Sequence, residues 1–267
     1  MEDFLLYEKS GGVATLTMNR PQTRNALSTP EICAEFVDKL RAIERDPSVN
    51  VVILTGAGSA FCAGGDIKKM RDRSGFAPMK TPVDTRDSYR ATIHHVSKMF
   101  NALEVPMIAA VNGPAIGAGL DLTCMCDLRI AAKSATFAES FIKVGIIPGD
   151  GGAWFLPKVI GISKASEMAF TGDTINAAEA ERIGLVSQVV EDSELMNAAR
   201  ALAARIDANP GRALRITKRL LRDSSQLSLE HHLEMAAAFQ SIIHETDDHR
   251  EALDAILEKR KPTFRSM

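Results

Sequence analysis

The stretch Val51-Val-Ile-Leu-Thr-Gly-Ala-Gly58 runs almost directly into Ala60-Phe-Cys-Ala-Gly-Gly-Asp66. The continuous apolar run at its start predicts a strand that is buried on both faces. The adjacent glycines that follow let the backbone approach a ligand closely and leave amide N–H groups free to donate. A tight turn in which Asp66 caps the next helix is the alternative interpretation.

A second stretch repeats this order of elements. Met107-Ile-Ala-Ala-Val111 predicts another buried strand, and Val111-Asn-Gly-Pro-Ala-Ile-Gly-Ala-Gly-Leu-Asp121 predicts a turn that opens into an apolar helix. The dinucleotide fingerprint GxGxxG is not matched, and Gly117 and Gly119 also suit close helix packing. Unobstructed amides at a helix N-terminus nevertheless suit a developing oxyanion. Two such turns place donors on the same edge of a sheet, as the enolate of a thioester requires.

Strand patterns recur on both sides of these turns. Val13-Ala-Thr-Leu-Thr-Met18 alternates along its length, as a half-buried strand does, and residues 128–132 and 186–190 predict further strands. Ser28 and Thr29 are good N-cap types before an apolar periodicity that predicts a helix.

Residues 88–103 form a second candidate helix. Strands that alternate with helices predict the α/β class, with residues 1–192 as the core. Residues 193–267 predict helices only, with breaks at residues 209–211 and 223–225, and Pro262 ends the last helix. An apolar stripe in this region comprises Leu229, Leu233, Ala236, Phe239 and Ile243. Such a stripe needs a neighbour, either the core or another subunit.

The composition limits the class of protein. The chain has 267 residues, and its 34 acidic and 32 basic residues give a formal net charge of -2. This balance predicts no nucleic-acid partner and no anionic membrane partner. The four cysteines lack zinc-ligand spacing, so we expect reduced thiols and no metal. No basic leader region and no apolar run of about 18 residues occurs, which predicts a cytoplasmic protein.

Four segments occur together and in order: Ile53-Leu-Thr-Gly-Ala-Gly58, Phe61-Cys-Ala-Gly-Gly-Asp-Ile67, Val111-Asn-Gly-Pro-Ala-Ile-Gly-Ala-Gly-Leu-Asp-Leu122 and Val144-Gly-Ile-Ile-Pro-Gly-Asp-Gly-Gly152. Jointly they resemble the crotonase superfamily, of the enoyl-CoA hydratase/isomerase type. The resemblance implies a spiral of β-β-α units, a helical C-terminal trimerisation region, and a homotrimer or a hexamer built as a dimer of trimers. It also implies that the Gly65 and Ala118 amides form an oxyanion hole for an acyl-CoA, with Ala63 and Asp66 in the CoA-binding segment.

The chain departs from the family at one catalytic position. Family hydratases place two glutamates around the double bond, one positioning water and one delivering a proton. Asp121 matches the first glutamate, whereas Phe141 matches the second and leaves only an aromatic side chain at the substrate. Glu139 is a secondary candidate, because on a strand it would point the same way as Phe141 but be displaced along the chain.

Asp150, in Pro148-Gly-Asp-Gly-Gly152, is the best replacement for the missing carboxylate. A glycine-flanked loop before a helix can aim its side chain into a pocket, although a turn or N-cap role is the alternative. Isomerase and dehalogenase relatives carry an aspartate where this chain has Gly149, and diketone-cleaving hydrolases resemble it better at this loop. His94 is a further candidate, at about the spacing of a functional histidine in dehalogenase relatives, or simply a packed or surface residue.

These residues predict an enzyme of acyl-CoA and fatty acid metabolism, an enoyl-CoA hydratase or isomerase. Asp121 and Asp150 would move a proton or position water while Gly65 and Ala118 hold the thioester oxygen. Coenzyme A enters as part of the substrate, and no other cofactor is expected. The alternatives are a hydrolase of the same fold that cleaves a carbon–carbon bond or thioester, and a CoA-binding protein whose catalysis has decayed.

Overall fold

The computed structural model describes residues 3–264 of the protein, and its strands fall into two sheets. The strands are β1 (Leu5–Ser10), β2 (Val13–Met18), β3 (Val51–Gly56), β4 (Met107–Val111), β5 (Ala115–Ile116), β6 (Leu128–Ala132), β7 (Thr136–Ala138), β8 (Ile175–Asn176) and β9 (Gln188–Val190). The helices are α1 (Pro30–Arg45), α2 (Ile67–Asp72), α3 (Pro82–Ala91), α4 (Ile93–Ala102), α5 (Ala118–Met125), α6 (Gly152–Ile160), α7 (Ile162–Thr171), α8 (Ala177–Arg182), α9 (Leu195–Asp207), α10 (Gly211–Asp223), α11 (Leu229–His244) and α12 (Asp247–Glu258). The predicted α/β class is confirmed.

The larger sheet has the order β1-β2-β3-β4-β6-β9, and the smaller has the order β5-β7-β8. In the larger sheet only β1 and β2 pair antiparallel, and the other neighbours are parallel. Parallel strands need covered faces, which agrees with the continuous apolar character of β3 and β4. The carboxyl ends of these strands therefore lie at one edge of the sheet, where the glycine turns follow.

The two faces of β3 enter two different cores. Val52 and Leu54 belong to the main core, whereas Val51 and Ile53 belong to a second cluster on the other face. Helix α9 covers that second face with the buried side chains of Leu195, Ala199 and Ala203. Helix α9 therefore packs directly on the large sheet. The predicted division into a core of residues 1–192 and a helical region of residues 193–267 stays a prediction.

A strand of the large sheet, a strand of the small sheet and a helix follow one another repeatedly. β4, β5 and α5 form one such unit, and β6, β7 and α6 form the next, with a short 3-10 helix (Ser140–Val144) between β7 and α6. An earlier unit uses β3, a single bridge from Cys62 to Ala115, and α2. Each unit thus places its turn and the N-terminus of its helix beside the turn and the helix N-terminus of the unit before it.

The C-terminal helices differ from one another in how they contact the core. Helix α10 is anchored by Lys218, whose Nζ lies 2.7 Å from Oδ2 of Asp127, and by Arg215, which donates to the carbonyl of Val49 at 3.2 Å. In contrast, the last two helices leave many large apolar side chains exposed: Leu229, Leu233, Ile242, Leu253, Ile256 and Leu257. The breaks at residues 209–211 and 223–225 are confirmed.

Several predicted element boundaries were wrong. The single helix over residues 88–103 is two helices, because Thr92 leaves helical geometry with φ -119° and ψ -100° and donates its hydroxyl to the Ser88 carbonyl. The strand predicted over residues 186–190 begins only at Gln188. The last helix ends at Glu258 with Lys259 in the left-handed region, ahead of Pro262.

In the described part of the chain, no helix is both long and apolar enough to cross a membrane. The cytoplasmic location stays a prediction of the sequence.

Candidate active site

The two glycine turns are joined by backbone hydrogen bonds. The Cys62 amide donates to the Pro114 carbonyl at 3.1 Å, and the Ile116 amide donates to the Cys62 carbonyl at 3.0 Å. A Cβ added at Gly119 would overlap the Cys62 carbonyl, so this close approach requires glycine. The segment before Asp66 therefore lies directly against the start of α5, as the sequence predicted for two turns on one edge.

The turns leave two amides unused. Gly117 precedes α5 with φ +53° and ψ -119°, a conformation that L side chains rarely adopt. A Cβ added at Gly64 would lie 3.4 Å from the Ala118 nitrogen, so the two turns approach each other closely here. Within residues 3–264, neither the Gly65 amide nor the Ala118 amide donates to a protein acceptor. Two free donors from neighbouring turns can together bind a carbonyl oxygen that gains negative charge.

The neighbours of Gly65 are used locally. A Cβ added at Gly65 would overlap Cε of Met70, so the methionine side chain lies against this turn. Asp66 caps α2, since its carboxylate accepts from the Lys68 amide at 2.9 Å and the Lys69 amide at 3.2 Å. Ala63 donates its amide to the carbonyl of residue 24 at 2.9 Å. Roles of Ala63 and Asp66 in CoA binding stay predictions.

Asp121 lies in the first turn of α5 and faces the start of α6. Its Oδ2 accepts from the Gly152 amide at 3.1 Å, whereas its Oδ1 is buried and has no hydrogen-bond partner. The side chain is 1% exposed. A carboxylate at a helix N-terminus is stabilised by the unpaired amides there. The α6 N-terminus thus positions Asp121 from across the helix interface.

Glu139 reaches the same place from the end of β7. It is 1% exposed, and neither of its carboxyl oxygens has a described hydrogen-bond partner. A Cβ added at Gly152 would overlap both Oδ1 of Asp121 and Oε1 of Glu139. The two carboxyl groups therefore meet over the Cα of this glycine.

β7 ends at Ala138, so Glu139 and Phe141 do not share a strand and the condition for their pointing the same way is not met. Phe141 lies on the 3-10 helix and is buried, and its ring Cζ is 3.6 Å from a Cβ built at Gly117. The change from strand to 3-10 helix gives the two side chains different surroundings. The substrate-binding role of Phe141 stays a prediction.

Asp150 is the third carboxylate of the site and is 6% exposed. The loop that carries it is fixed to α4, because the Ser97 hydroxyl donates to the Asp150 carbonyl at 2.5 Å. His94 is also on α4, and its Nε2 lies 2.9 Å from the carbonyl of Gly149. His94 thus holds the loop in this structure, and a catalytic role for it stays a prediction.

Burial dominates the electrostatics of the three carboxylates. Burial raises the pKa of Asp150 to about 6, and it raises the pKa of Glu139 to about 8, with the charge of Asp150 adding to the increase. The pKa of Asp121 is raised well above its usual value by burial and then by the charges of Glu139 and Asp150. None of the three takes part in a salt bridge among the described residues. Neighbouring buried carboxylates without a cation cannot all be ionised at neutral pH.

A cleft of about 1000 Å³ lies beside this site. Tyr89, His94 and Gly149 line it, as do the basic side chains of Arg73 and Lys80. Asp150 follows Gly149 directly in the chain and is not itself part of the lining. The cleft therefore reaches the loop that carries Asp150.

Sequence reasoning missed two contributors to the site. Tyr89 packs its ring against Gly149, at 3.3 Å from a Cβ built there, and no motif around Tyr89 indicated this. Gly152 was read only as part of a glycine-rich loop, although its amide and its missing side chain both define the carboxylate contact. In the described part of the chain, no group of three or more His, Cys, Asp or Glu side chains is arranged to hold a metal ion.

Comparison with known proteins agrees with this geometry. The model of the family described as enoyl-CoA hydratase/isomerase matches residues 8–267. A crotonyl-CoA hydratase of Syntrophomonas wolfei is 36% identical over 261 residues, covering 97% of each chain. A 1,2-epoxyphenylacetyl-CoA isomerase of Escherichia coli is also 36% identical, over 265 residues and 99% of each chain. A hydratase and an isomerase are thus equally similar to this protein.

The fold gives the same result. The crystal structure of an enoyl-CoA hydratase from Bacillus anthracis has a TM-score of 0.91 and 34% identity, covering 99% of this chain and 100% of that one. Both the sequence match and the structural match extend over nearly the whole chain. The protein belongs to the enoyl-CoA hydratase/isomerase family, has the crotonase fold, and is an enzyme of that family.

Proposed function

We propose that this enzyme adds water to the double bond of a 2-enoyl-CoA. The observation that carries the proposal is the cluster of Asp121, Glu139 and Asp150, which is buried and forms no salt bridge among the described residues, in a chain that also leaves the Gly65 and Ala118 amides free. Because the three cannot all be ionised, the site holds both a base and an acid at neutral pH. Hydration needs both, since one proton leaves water and another reaches carbon.

The proposed reaction starts at the thioester. The Gly65 and Ala118 amides bind its oxygen, and Asp150 takes a proton from a water molecule. The water oxygen forms a bond to C3, and the π electrons of the double bond move onto the thioester oxygen. Those amides stabilise the enolate because its charge appears only as the reaction proceeds. A proton from the Asp121 side then reaches C2 and gives the 3-hydroxyacyl-CoA.

Asp150 is the better base because its pKa is raised only to about 6, so it is ionised at neutral pH. It also follows Gly149, which lines the cleft. Asp121 has its Oδ2 occupied by the Gly152 amide and is the more enclosed of the two. This division of roles follows from their surroundings rather than from their chemical type.

A shift of the double bond between the C3–C4 and C2–C3 positions, with a proton moved between C2 and C4, is the second candidate. The observation that favours it is the buried ring of Phe141 beside the α5 turn, because an aromatic surface there excludes water. Asp150 alone would then move a proton from one carbon to another. The similarity to an isomerase of Escherichia coli supports this candidate to the same degree as the hydratase relatives support the first.

The test is the absorbance of the conjugated enoyl thioester. With crotonyl-CoA we expect a loss of absorbance, and in Asp150→Asn we expect the rate to fall by roughly 10²–10⁴. Asp254→Asn, at an exposed position on α12, is the matched control and should keep the wild-type rate. A gain of absorbance from a 3-enoyl-CoA, without loss from crotonyl-CoA, would instead identify the isomerase.

Product analysis separates the remaining alternatives. Release of free thiol or free acid would identify a hydrolase. Binding of acyl-CoA without turnover across 2-enoyl, 3-enoyl and diketone substrates would identify a CoA-binding protein without catalysis.

We also propose that the chain assembles as a homotrimer or as a dimer of trimers. The exposed apolar side chains of α11 and α12 support this, since Leu229, Ile256 and Leu257 are each more than 70% exposed in the single chain. Contiguous exposed apolar surface of this kind marks an interface. Sedimentation equilibrium measures the mass directly, and a monomer at micromolar concentration would contradict the proposal.

A further inference from the structure

We propose that Asp121 and Glu139 share one proton, and that Glu139 carries it and supplies it through Asp121 to the substrate. This assigns the acid role of the missing family glutamate to a residue two positions earlier in the chain. The inference rests on the proposed hydration and names the source of the proton that reaches C2.

The first argument is contact between the two side chains. Oδ1 of Asp121 and Oε1 of Glu139 both point at the Cα of Gly152, where a methyl group would overlap each of them. Both residues are 1% exposed. Oδ1 of Asp121 and both carboxyl oxygens of Glu139 are buried and have no other hydrogen-bond partner. A shared proton provides that bond and removes most of this unsatisfied polar surface.

The second argument is charge. The groups that face the pair are Asp150, from the loop before α6, and the thiols of Cys62 and Cys124. The thiols stay neutral because burial raises their pKa, that of Cys62 to about 12. Asp150 is negative and opposes ionisation of both neighbours. Two carboxylates in contact at a buried position with no cation hold one proton between them.

The third argument decides where the proton lies. Oδ2 of Asp121 accepts from the Gly152 amide at the N-terminus of α6, which favours the ionised form of Asp121. Among the described residues no N–H donates to either carboxyl oxygen of Glu139. The Gly152 amide therefore favours the form in which Glu139 carries the proton and its O–H donates to Oδ1 of Asp121. Burial raises the pKa of Glu139 to about 8, against a lowering by the hydrogen bond with Asp121.

The proton balance closes over one turnover. Asp150 gains the proton of water as the C3–O bond forms. The single proton of the pair passes from Glu139 to Asp121, and Asp121 delivers it to C2 as the enolate collapses, which leaves the pair without a proton and Asp150 with one. The proton on Asp150 then returns to the pair, because the pKa of Glu139, about 8, is higher than that of Asp150, about 6. No co-reactant other than water is consumed.

The direct test is the infrared carbonyl stretch of a neutral carboxylic acid in the substrate-free enzyme. We expect one such band at pH 7 that disappears as the pH rises through about 8. Glu139→Gln should abolish the band, because the amide donates to Asp121 without a titratable proton. Glu8→Gln, at an exposed position on β1, is the matched control and should leave the band unchanged. A wild type without the band, or a band that survives Glu139→Gln, would overturn the inference.

Kinetics provide the second readout. With crotonyl-CoA, Glu139→Gln should lower kcat by roughly 10²–10⁴ without changing the Kd for the thioester. The wild type should lose activity as the pH rises through about 8, and the variant should lack this alkaline limb. A purely structural role would not remove a pH limb. Unchanged kcat with the limb retained in Glu139→Gln would contradict the proposal.

Glu139→Asp keeps the experiment decisive if the glutamine variant does not fold. It keeps the carboxyl group but withdraws it by one methylene, so we expect the infrared band and the alkaline limb to remain and part of the rate to be rescued. Loss of both features in a folded Glu139→Asp protein would count against the inference. If no 2-enoyl-CoA is hydrated by the wild type, the proposed function fails, while the infrared band still tests the shared proton.

Discussion

The N-termini of α5 and α6 meet at the site, yet they are used in opposite ways. α5 begins after Gly117 and leaves the Ala118 amide free, whereas α6 begins at Gly152, whose amide is bonded to Asp121 at 3.1 Å. Both ends carry the positive pole of a helix dipole. One is open to an anion that forms during the reaction, and the other holds an anion that belongs to the protein.

This difference explains why the site can contain three carboxylates without a cation. The α6 end offsets part of the cost of burying Asp121, so the α5 end does not have to. If a side chain accepted a hydrogen bond from the N-terminus of α5, the Ala118 amide could not donate to a thioester oxygen. We therefore expect changes at the N-terminus of α5 to alter the reaction rate. Changes at the N-terminus of α6 should alter the stability of the protein and the protonation of Asp121.

The largest effect of a change at the α5 end is expected from Ala118→Pro. Proline is tolerated at the first position of a helix but has no N–H, so the oxyanion loses one donor while α5 is retained. We expect kcat to fall by roughly 10²–10³, the usual result of losing one such donor. Asp247→Pro, at the exposed first position of α12, is the matched control. Equal kcat values in the wild type and Ala118→Pro would contradict a role of the Ala118 amide in stabilising the oxyanion.

Asp150→Asn should stabilise the protein while it inactivates it. The pKa of Asp150 is raised from 3.8 to about 6, so the folded state binds this proton more tightly than the unfolded state. Wild-type stability therefore falls as the pH rises from about 4 through about 6, by up to about 3 kcal/mol. The variant should have a higher Tm at pH 7.5, and this advantage should vanish near pH 4. A Tm difference that is independent of pH would show that burial of the ionised Asp150 carboxylate does not destabilise the folded state.

Gly152→Ala tests the carboxylate contact at the N-terminus of α6. The added methyl group overlaps Asp121 and Glu139, and we expect a loss of about 1–3 kcal/mol in the free energy of unfolding together with a lower kcat. Gly161→Ala is the control, because that glycine has φ +77° and no neighbour within 4 Å of an added Cβ. Its cost should be confined to backbone strain, with kcat unchanged. Urea titration and steady-state kinetics separate the two, and equal kcat in both variants would contradict the assignment.

The smallest effect is the acid limb of the pH profile. Asp150 acts as a base only when ionised, so kcat/KM should fall as the pH drops through about 6, by about tenfold per unit below it. Asp150→Asn should show a flat profile in this range at its residual rate. A limb in the wild type near pH 4 instead would indicate that Asp150 is solvated and is not the buried base.

Much of this site was predictable from the sequence because it follows directly from strands. The buried strands β3 and β4 and the turns after them were predicted, and the carboxyl ends of parallel strands necessarily share one edge. That rule places the turns that carry Gly65, Ala118 and Asp121 on one edge, whereas the roles of these residues were predicted from the family resemblance. Their proximity required no knowledge of side-chain packing.

The parts that were not predicted depend on local breaks. Thr92 separates α3 from α4, and the chain leaves the strand after Ala138, although neither break has a glycine or proline to indicate it. The contact between Asp121 and Glu139 joins a helix to a strand end through the missing side chain of Gly152. A pattern of apolar residues carries no information on such a contact, because it is made by polar groups inside the core.

The ring of Phe141 has a consequence for how such an enzyme can evolve. A glutamate at this position, as the family pattern has it, would bring a fourth carboxylate to the neighbourhood of Asp121, Glu139 and Asp150, and none of these three has a cation in the structure. If Glu139 is the acid, as we propose, a glutamate at position 141 and Glu139 are alternative locations for the same group. An exchange between them that keeps activity then requires changes at both positions.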